Sequence, residues 1–93
     1  MKVYELIDSP EKLARGAFAR DSKQERVTYD SPQAVAWCIV GGIKRCYLVS
    51  EQEETILKLD RLLRSKKMDS FITTFSDHHS FEKVQAILKE ADV

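Results

Sequence analysis

Glycine and proline are scarce in this chain of 93 residues, which has three glycines and two prolines. That scarcity excludes a collagen-like chain and a low-complexity, disordered one. With 43% hydrophobic and 32% charged residues, the composition is that of an ordinary globular protein. At this length we predict a single domain over residues 1–93, with a thin hydrophobic core.

An excess of charge of either sign is also absent. Fifteen basic and fifteen acidic residues give a formal net charge of zero. No overall field therefore draws the protein toward nucleic acid or toward an anionic membrane. A protein near neutrality is poorly protected against self-association, so the composition is compatible with a homo-oligomer.

Long apolar runs and closely spaced cysteines are missing as well. No segment approaches the roughly 18 consecutive apolar residues of a membrane helix, and Met1 to Asp8 lack the apolar stretch of a secretory signal. The two cysteines, Cys38 and Cys46, are eight positions apart in one predicted helix. That spacing puts them about 12 Å apart along the helix axis, too far for a disulfide. Free thiols without a signal predict a cytoplasmic location and no association with membranes.

Motifs for nucleotides and metals are absent from the sequence. It has no P-loop, no dinucleotide-binding glycine pattern, no Cys-x-x-Cys pair and no His-Glu-x-x-His helix. We therefore predict no cofactor.

The clearest structural signal that is present begins at Asp30-Ser31-Pro32, a typical helix start. Apolar residues follow over most of the helix circumference, so we predict a central, buried helix from Pro32 to Leu48. Gly41 and Gly42 in its middle cost roughly 1–2 kcal/mol of helix propensity. Such a pair indicates that another backbone passes close by.

The other predicted elements surround this helix. Residues 3–8 form a helical turn, Ser9-Pro10-Glu11 starts an N-terminal helix, and Ser50 to Glu53 form the capping box of an amphipathic helix. A last helix runs from Phe81 to Ala91. We predict a mainly all-α fold, a small bundle of about four helices.

Two short segments have strand propensity instead. Phe71 to Phe75 is β-branched and aromatic, so we predict a short extended segment before the last helix. It could pair with Val27-Thr28-Tyr29, which has a similar composition.

The cluster with the most chemical potential is Asp77-His78-His79-Ser80. It could be a metal site or an acid–base site, and Cys38 could join it as a nucleophile or a thiolate ligand. The alternative is structural: Asp77 or Ser80 caps the last helix and both histidines are exposed. In that interpretation Cys38 is a small buried hydrophobic residue.

Two further features have a functional and a structural interpretation. Arg61, Arg64, Lys66 and Lys67 could contact phosphates, although no aromatic residues interleave them and they also suit the end of a helix dipole. Nucleic-acid binding is therefore the weaker interpretation. Trp37 could line a ligand pocket or pack at the edge of the core, beside Gly41 and with Lys44 across it.

The chain resembles a family of small bacterial and phage proteins known only as a domain of unknown function. The resembling segments are Leu13 to Asp21, the Ala-Val-x-Trp-Cys-x-x-Gly pattern of Ala34 to Ile43, Phe75-Ser76-Asp77, and the Val-x-x-x-Leu-x-x-Ala helix of Val84 to Ala91. The resemblance implies a shared fold and a soluble protein, with Asp77 capping the last helix. It implies no activity.

These observations lead to two hypotheses of different kinds. The first is a non-enzymatic binding or regulatory module that acts through protein–protein contact, with another protein or with itself. The second is a small enzyme or a metal-binding protein that uses Asp77, His78 and His79, with Cys38 as a further candidate.

Overall fold

A computed structural model of the chain describes residues 1–68 and 71–93. Within these residues the fold is mainly helical, as predicted, but a three-stranded sheet makes it not purely α. The α-helices are α1 (Val3–Leu6), α2 (Ile39–Cys46), α3 (Val49–Ser65), α4 (Ile72–His78) and α5 (Phe81–Glu90), and a 3₁₀ helix spans Pro10–Lys12. The strands are β1 (Ala19–Arg20), β2 (Arg26–Val27) and β3 (Ala36–Trp37).

The sheet is antiparallel, with β1 in the middle and β2 and β3 on either side. Ala19 of β1 lies opposite Val27 on one side and opposite Trp37 on the other. The β1–β2 turn is closed by Asp21, whose carboxylate accepts the N–H groups of Lys23 and Glu25 at 2.9 Å each. This local use of an aspartate is typical of turns, and it explains why the polar 21–26 segment reverses the chain.

The central helix is shorter than the sequence predicts, and the prediction of one helix from Pro32 to Leu48 is wrong. Ser31 caps a turn instead of a helix: its Oγ accepts the N–H of Gln33 at 3.1 Å. The N–H of Val35 then bonds the carbonyl of Arg20 at 2.9 Å, which draws the chain into the sheet. The helix begins only after Cys38, whose Sγ accepts the N–H of Gly41 at 3.3 Å as the N-cap.

The close backbone approach predicted at the glycine pair is confirmed. A Cβ placed on Gly41 would lie 1.9 Å from the carbonyl oxygen of Phe18, in the bend that leads into β1. A Cβ on Gly42 would lie 2.7 Å from Cγ1 of Val3 in α1. Only glycine therefore lets α2 pack between the sheet and α1.

The core surrounds α2, which contacts α1, α3 and α4. Its fully buried side chains come from the segments of the five α-helices and from Val93. The largest of them are Phe75, Ile7, Ile39, Ile43, Leu59, Leu63, Leu88, Val3, Val84 and Val93.

The segment after α3 also differs from its prediction. Phe71 to Phe75 is not an extended strand and does not pair with Val27 to Tyr29, because most of the segment lies in a helix. From Ile72 onward it is the helix α4, whose N-terminal N–H, on Ile72, bonds Asp60 Oδ1 of α3 at 3.2 Å. Ile72, Phe75 and Ser76 are buried at helical spacing, so tertiary packing overrides the strand propensity of the residue types.

Helix ends were predicted with mixed success. Ser9-Pro10-Glu11 starts only the 3₁₀ helix, and the chain then extends toward β1. Helix α3 begins at Val49 rather than within the predicted capping box at Ser50, with Leu48 as its N-cap. Ser80 caps α5 as predicted, because its Oγ accepts the N–H of Lys83 at 3.3 Å.

Candidate functional site

One cleft brings together two of the four residues singled out from the sequence. Its volume is about 350 Å³, and it lies between the bend before β1, strand β2, the start of α2 and helix α4. We call it the Cys38–Asp77 cleft; it is lined by Gly16, Ala17, Phe18, Arg26, Cys38, Thr73 and Asp77.

Hydrogen bonds that side chains of α4 accept explain why the bend before β1 and the start of α2, which are distant in sequence, meet at this cleft. Asp77 Oδ1 accepts the N–H of Gly16 at 3.0 Å, which fixes the bend against α4. The buried Ser76 Oγ accepts the N–H of Ile39 at 3.2 Å, which fixes the start of α2 against the same helix. Two consecutive residues of α4 therefore hold the bend and the start of α2 in place, and Cys38, the residue before Ile39, also lines the cleft.

Cys38 is buried, with 6% of its surface exposed, as the structural interpretation predicts. Burial raises the pKa of its thiol, and the nearby negative charge of Asp77 raises that pKa further. The Gly41 N–H has the opposite effect on the pKa, but burial dominates. The thiol is therefore protonated at neutral pH, which makes it a weak nucleophile.

The two cysteines should consequently differ in reactivity. Cys46 is only half-buried, and although burial raises its pKa, the N-terminal ammonium and Arg45 oppose that rise. We expect iodoacetamide to alkylate Cys46 first and Cys38 only when the protein unfolds. Peptide mass mapping over time checks this, with Cys46→Ser as the control that removes the fast reaction. Equal rates at both thiols in the folded protein would contradict it.

The structure does not assemble the predicted Asp-His-His site. Asp77 and His78 lie within α4 rather than in a loop, and His79 follows as its C-cap. His78 is exposed, whereas the His79 ring stacks on Phe75 with centroids 4.5 Å apart. Asp77 does not cap α5, because Ser80 does. Within residues 1–68 and 71–93, no three His, Cys, Asp or Glu side chains are placed to share a metal ion.

The basic end of α3 is exposed but partly neutralised. Lys66 forms an ion pair with Glu90 of α5 at 3.0 Å. Arg61, Arg64 and Lys67 point to solvent. This leaves a small positive surface, not a groove flanked by aromatic side chains.

Trp37 packs at the edge of the core, as the structural interpretation predicts, but its cationic neighbour is different. The indole N–H donates to the carbonyl of Tyr29 at 2.9 Å, and the Arg45 guanidinium lies 5.8 Å from the ring centroid. Lys44 instead lies over the ring of Phe18, at 5.2 Å.

A second surface, which the sequence analysis missed, runs along α3. Leu48 and Val49 are 71% and 85% exposed at the start of this helix, although Leu48 was predicted to lie in the central helix. Leu57 in the middle of α3 is exposed as well. We call the side of α3 turned away from the core its outer face; it carries Ser50, Glu53, Leu57, Arg61 and Arg64, all exposed.

Comparison with known proteins adds no relative. No known protein family, no curated protein and no solved structure matches the chain. The resemblance to small bacterial and phage proteins therefore stays a prediction. In the part of the chain that the structure describes, no helix has the length and apolar content to cross a bilayer.

Proposed function

We propose that this protein is a non-enzymatic binding module that acts through protein–protein contact, and that its partner is a second copy of the same chain. The observation that supports this proposal is the arrangement of Glu53, Leu57 and Arg61 on the outer face of α3. An acidic, an apolar and a basic side chain follow one another there at intervals of four residues. Residues at this spacing share one face of a helix.

The arrangement is symmetric about the centre of the helix. Leu57 has eight residues of α3 on either side, because the helix spans the 17 residues Val49–Ser65. If two α3 helices pack antiparallel across a two-fold axis at Leu57, each Glu53 lies opposite Arg61 of the other copy. The same operation brings the two Leu57 side chains together. Such a self-complementary surface is what a two-fold symmetric dimer requires.

The start of α3 supports a contact role for this helix. Serine, threonine, aspartate and asparagine are favoured at an N-cap, and a residue without such a group costs about 1 kcal/mol there. Yet the N-cap is Leu48, and the exposed Val49 follows it. The start of α3 is therefore less stable than it would be with a polar N-cap, and two apolar side chains are exposed to solvent there. This combination is typical of a surface that binds another protein.

Electrostatics between whole molecules does not oppose this association. The net charge is zero, so two copies do not repel each other at long range. One helix face buries little area, at the small end of the range for specific interfaces (below about 1,200 Å²). We therefore expect a dimer that forms at micromolar or higher concentration and weakens as salt rises.

Charge exchange between the two positions tests the proposal. Glu53→Arg and Arg61→Glu should each weaken self-association at least about tenfold, because each places like charges opposite each other twice in the dimer. An equimolar mixture of these two variants should associate again, since both cross-helix pairs are then of opposite sign. The double variant should also associate. Sedimentation velocity across a concentration series measures the self-association of the two single variants, their equimolar mixture and the double variant.

The control for altered net charge is Glu82→Arg, an exposed position on α5 outside the outer face, which should leave self-association unchanged. A wild-type chain that stays monomeric at millimolar concentration would overturn the second copy as the partner. Association that the single variants do not weaken would show that copies bind through a different surface.

A further inference from the structure

Two residues of opposite charge line the Cys38–Asp77 cleft without forming an ion pair with each other. Arg26 and Asp77 both line it, but the ion pairs among the described residues join other side chains. Asp77 uses one carboxylate oxygen for the N–H of Gly16, and its second oxygen has no donor in the part of the chain that the structure describes. The Arg26 guanidinium and the Thr73 hydroxyl likewise form no hydrogen bond within residues 1–68 and 71–93.

The remainder of the lining is apolar or backbone. Phe18 and Ala17 form one wall, and the bend at Gly16 exposes backbone on the same side. The volume of about 350 Å³ lies in the range of small-molecule pockets, which are mostly apolar with a few polar groups that fix orientation. The cleft therefore suits a small molecule better than a segment of another protein.

The pair of charges selects the class of ligand. An anion would satisfy Arg26 but meet the carboxylate of Asp77, and a cation would satisfy Asp77 but meet the guanidinium of Arg26. A molecule that carries both charges close together satisfies both groups, and a carboxylate can take two parallel hydrogen bonds from a guanidinium.

We propose that the Cys38–Asp77 cleft binds a free α-amino acid with an apolar side chain. Its carboxylate binds the guanidinium of Arg26, and its ammonium group binds the free carboxylate oxygen of Asp77. The apolar side chain packs against Phe18 and Ala17, and Thr73, which also lines the cleft, offers a hydroxyl as a further polar partner. This site is separate from the outer face of α3, so it does not depend on dimerisation.

Titration with amino acids, followed by the backbone amide signals of the labelled protein, tests this site. L-leucine, L-valine and L-phenylalanine are the probes. At least one should shift the amide signals of Gly16, Ala17, Phe18 and Thr73 with a dissociation constant in the millimolar range or tighter. N-acetyl-leucine lacks the ammonium group and leucinamide lacks the carboxylate, so each should bind at least about tenfold more weakly than leucine.

Two variants separate the two charges. Arg26→Gln and Asp77→Asn should each weaken binding at least about tenfold, and Asp77→Asn keeps an oxygen for the N–H of Gly16. Lys83→Gln, an equal change of charge at an exposed position of α5 outside both the cleft and the outer face of α3, should leave binding unchanged. Should Asp77→Asn fail to fold, Arg26→Gln decides, because Arg26 is exposed. The proposal is overturned if none of the three probes shifts the cleft amides, or if the acetylated and amidated compounds bind as well as leucine.

Discussion

Replacing Gly41 by alanine is expected to reduce the free energy of unfolding by at least about 3 kcal/mol. The added methyl group would lie 1.9 Å from the carbonyl oxygen of Phe18 and 2.8 Å from its carbonyl carbon. That oxygen also accepts the N–H of Cys38 at 3.2 Å, so the backbone there is held in place. Helix propensity alone predicts the opposite, a gain of about 1 kcal/mol. Urea unfolding of both proteins therefore distinguishes the two expectations by sign.

Gly42→Ala is the matched control in the next position of the same helix. Its methyl group would meet a side chain, Cγ1 of Val3 at 2.7 Å, instead of backbone. Val3→Ala should therefore recover part of the loss in Gly42→Ala and none of the loss in Gly41→Ala, which a double-mutant cycle measures. An unchanged or increased stability of Gly41→Ala would mean that the Phe18 carbonyl does not lie against this helix.

Phe75→Ala is expected to cost about 3–5 kcal/mol of stability. The ring is fully buried in the core, and it stacks on the ring of His79. A chain of this size has a total stability of roughly 5–14 kcal/mol, so this loss is a large fraction of the whole and the variant should unfold at a clearly lower temperature and urea concentration. Thermal and urea denaturation followed by circular dichroism give the loss.

Phe71 provides the control for this change because it carries the same ring four residues earlier and is 64% exposed. Phe71→Ala should change stability by no more than about 0.5 kcal/mol. Similar losses in both variants would contradict the different burial of the two rings, which arises because Phe71 lies outside α4 as its extended N-cap whereas Phe75 lies within the helix.

The two rings also show where sequence patterns are informative and where they fail. Helices α3 and α5 were predicted because long amphipathic stripes and local caps specify them. In α5, Val84, Ile87 and Leu88 are buried as the spacing predicts. Helix α4 was not predicted, because its seven residues give too short a pattern to outweigh strand-forming residue types.

The prediction of a helix in the segment before α2 was wrong for a different reason. Ser31-Pro32 is compatible with a helix start and with a turn, and the local sequence does not decide between them. The decision comes from β1, more than ten residues earlier, whose edge accepts Val35 and Trp37. Whether such a segment forms a helix or a strand depends on its contacts with distant residues, and a local sequence pattern carries no information about those contacts.

The candidate site was predicted only in part, again because non-local contacts bring its residues together. Cys38 and Asp77 were recognised by residue type, but nothing in the sequence indicates that they share a cleft with Arg26 and Thr73. The histidines attracted attention because they are adjacent in the sequence. Neither His78 nor His79 is among the described residues that line the cleft. On α3, the four-residue spacing of Glu53, Leu57 and Arg61 was readable, but the helix centre became known only with the helix bounds.

The contact between Gly41 and Phe18 also determines how the molecule folds. Each strand has only two residues, and a sheet this small is not stable in isolation. Its middle strand follows directly from the Phe18 carbonyl that α2 covers, and α2 is itself an eight-residue helix, too short to persist alone in water. Neither element can form before the other, so the sheet and the central helix make a single cooperative unit that is gained or lost as a whole.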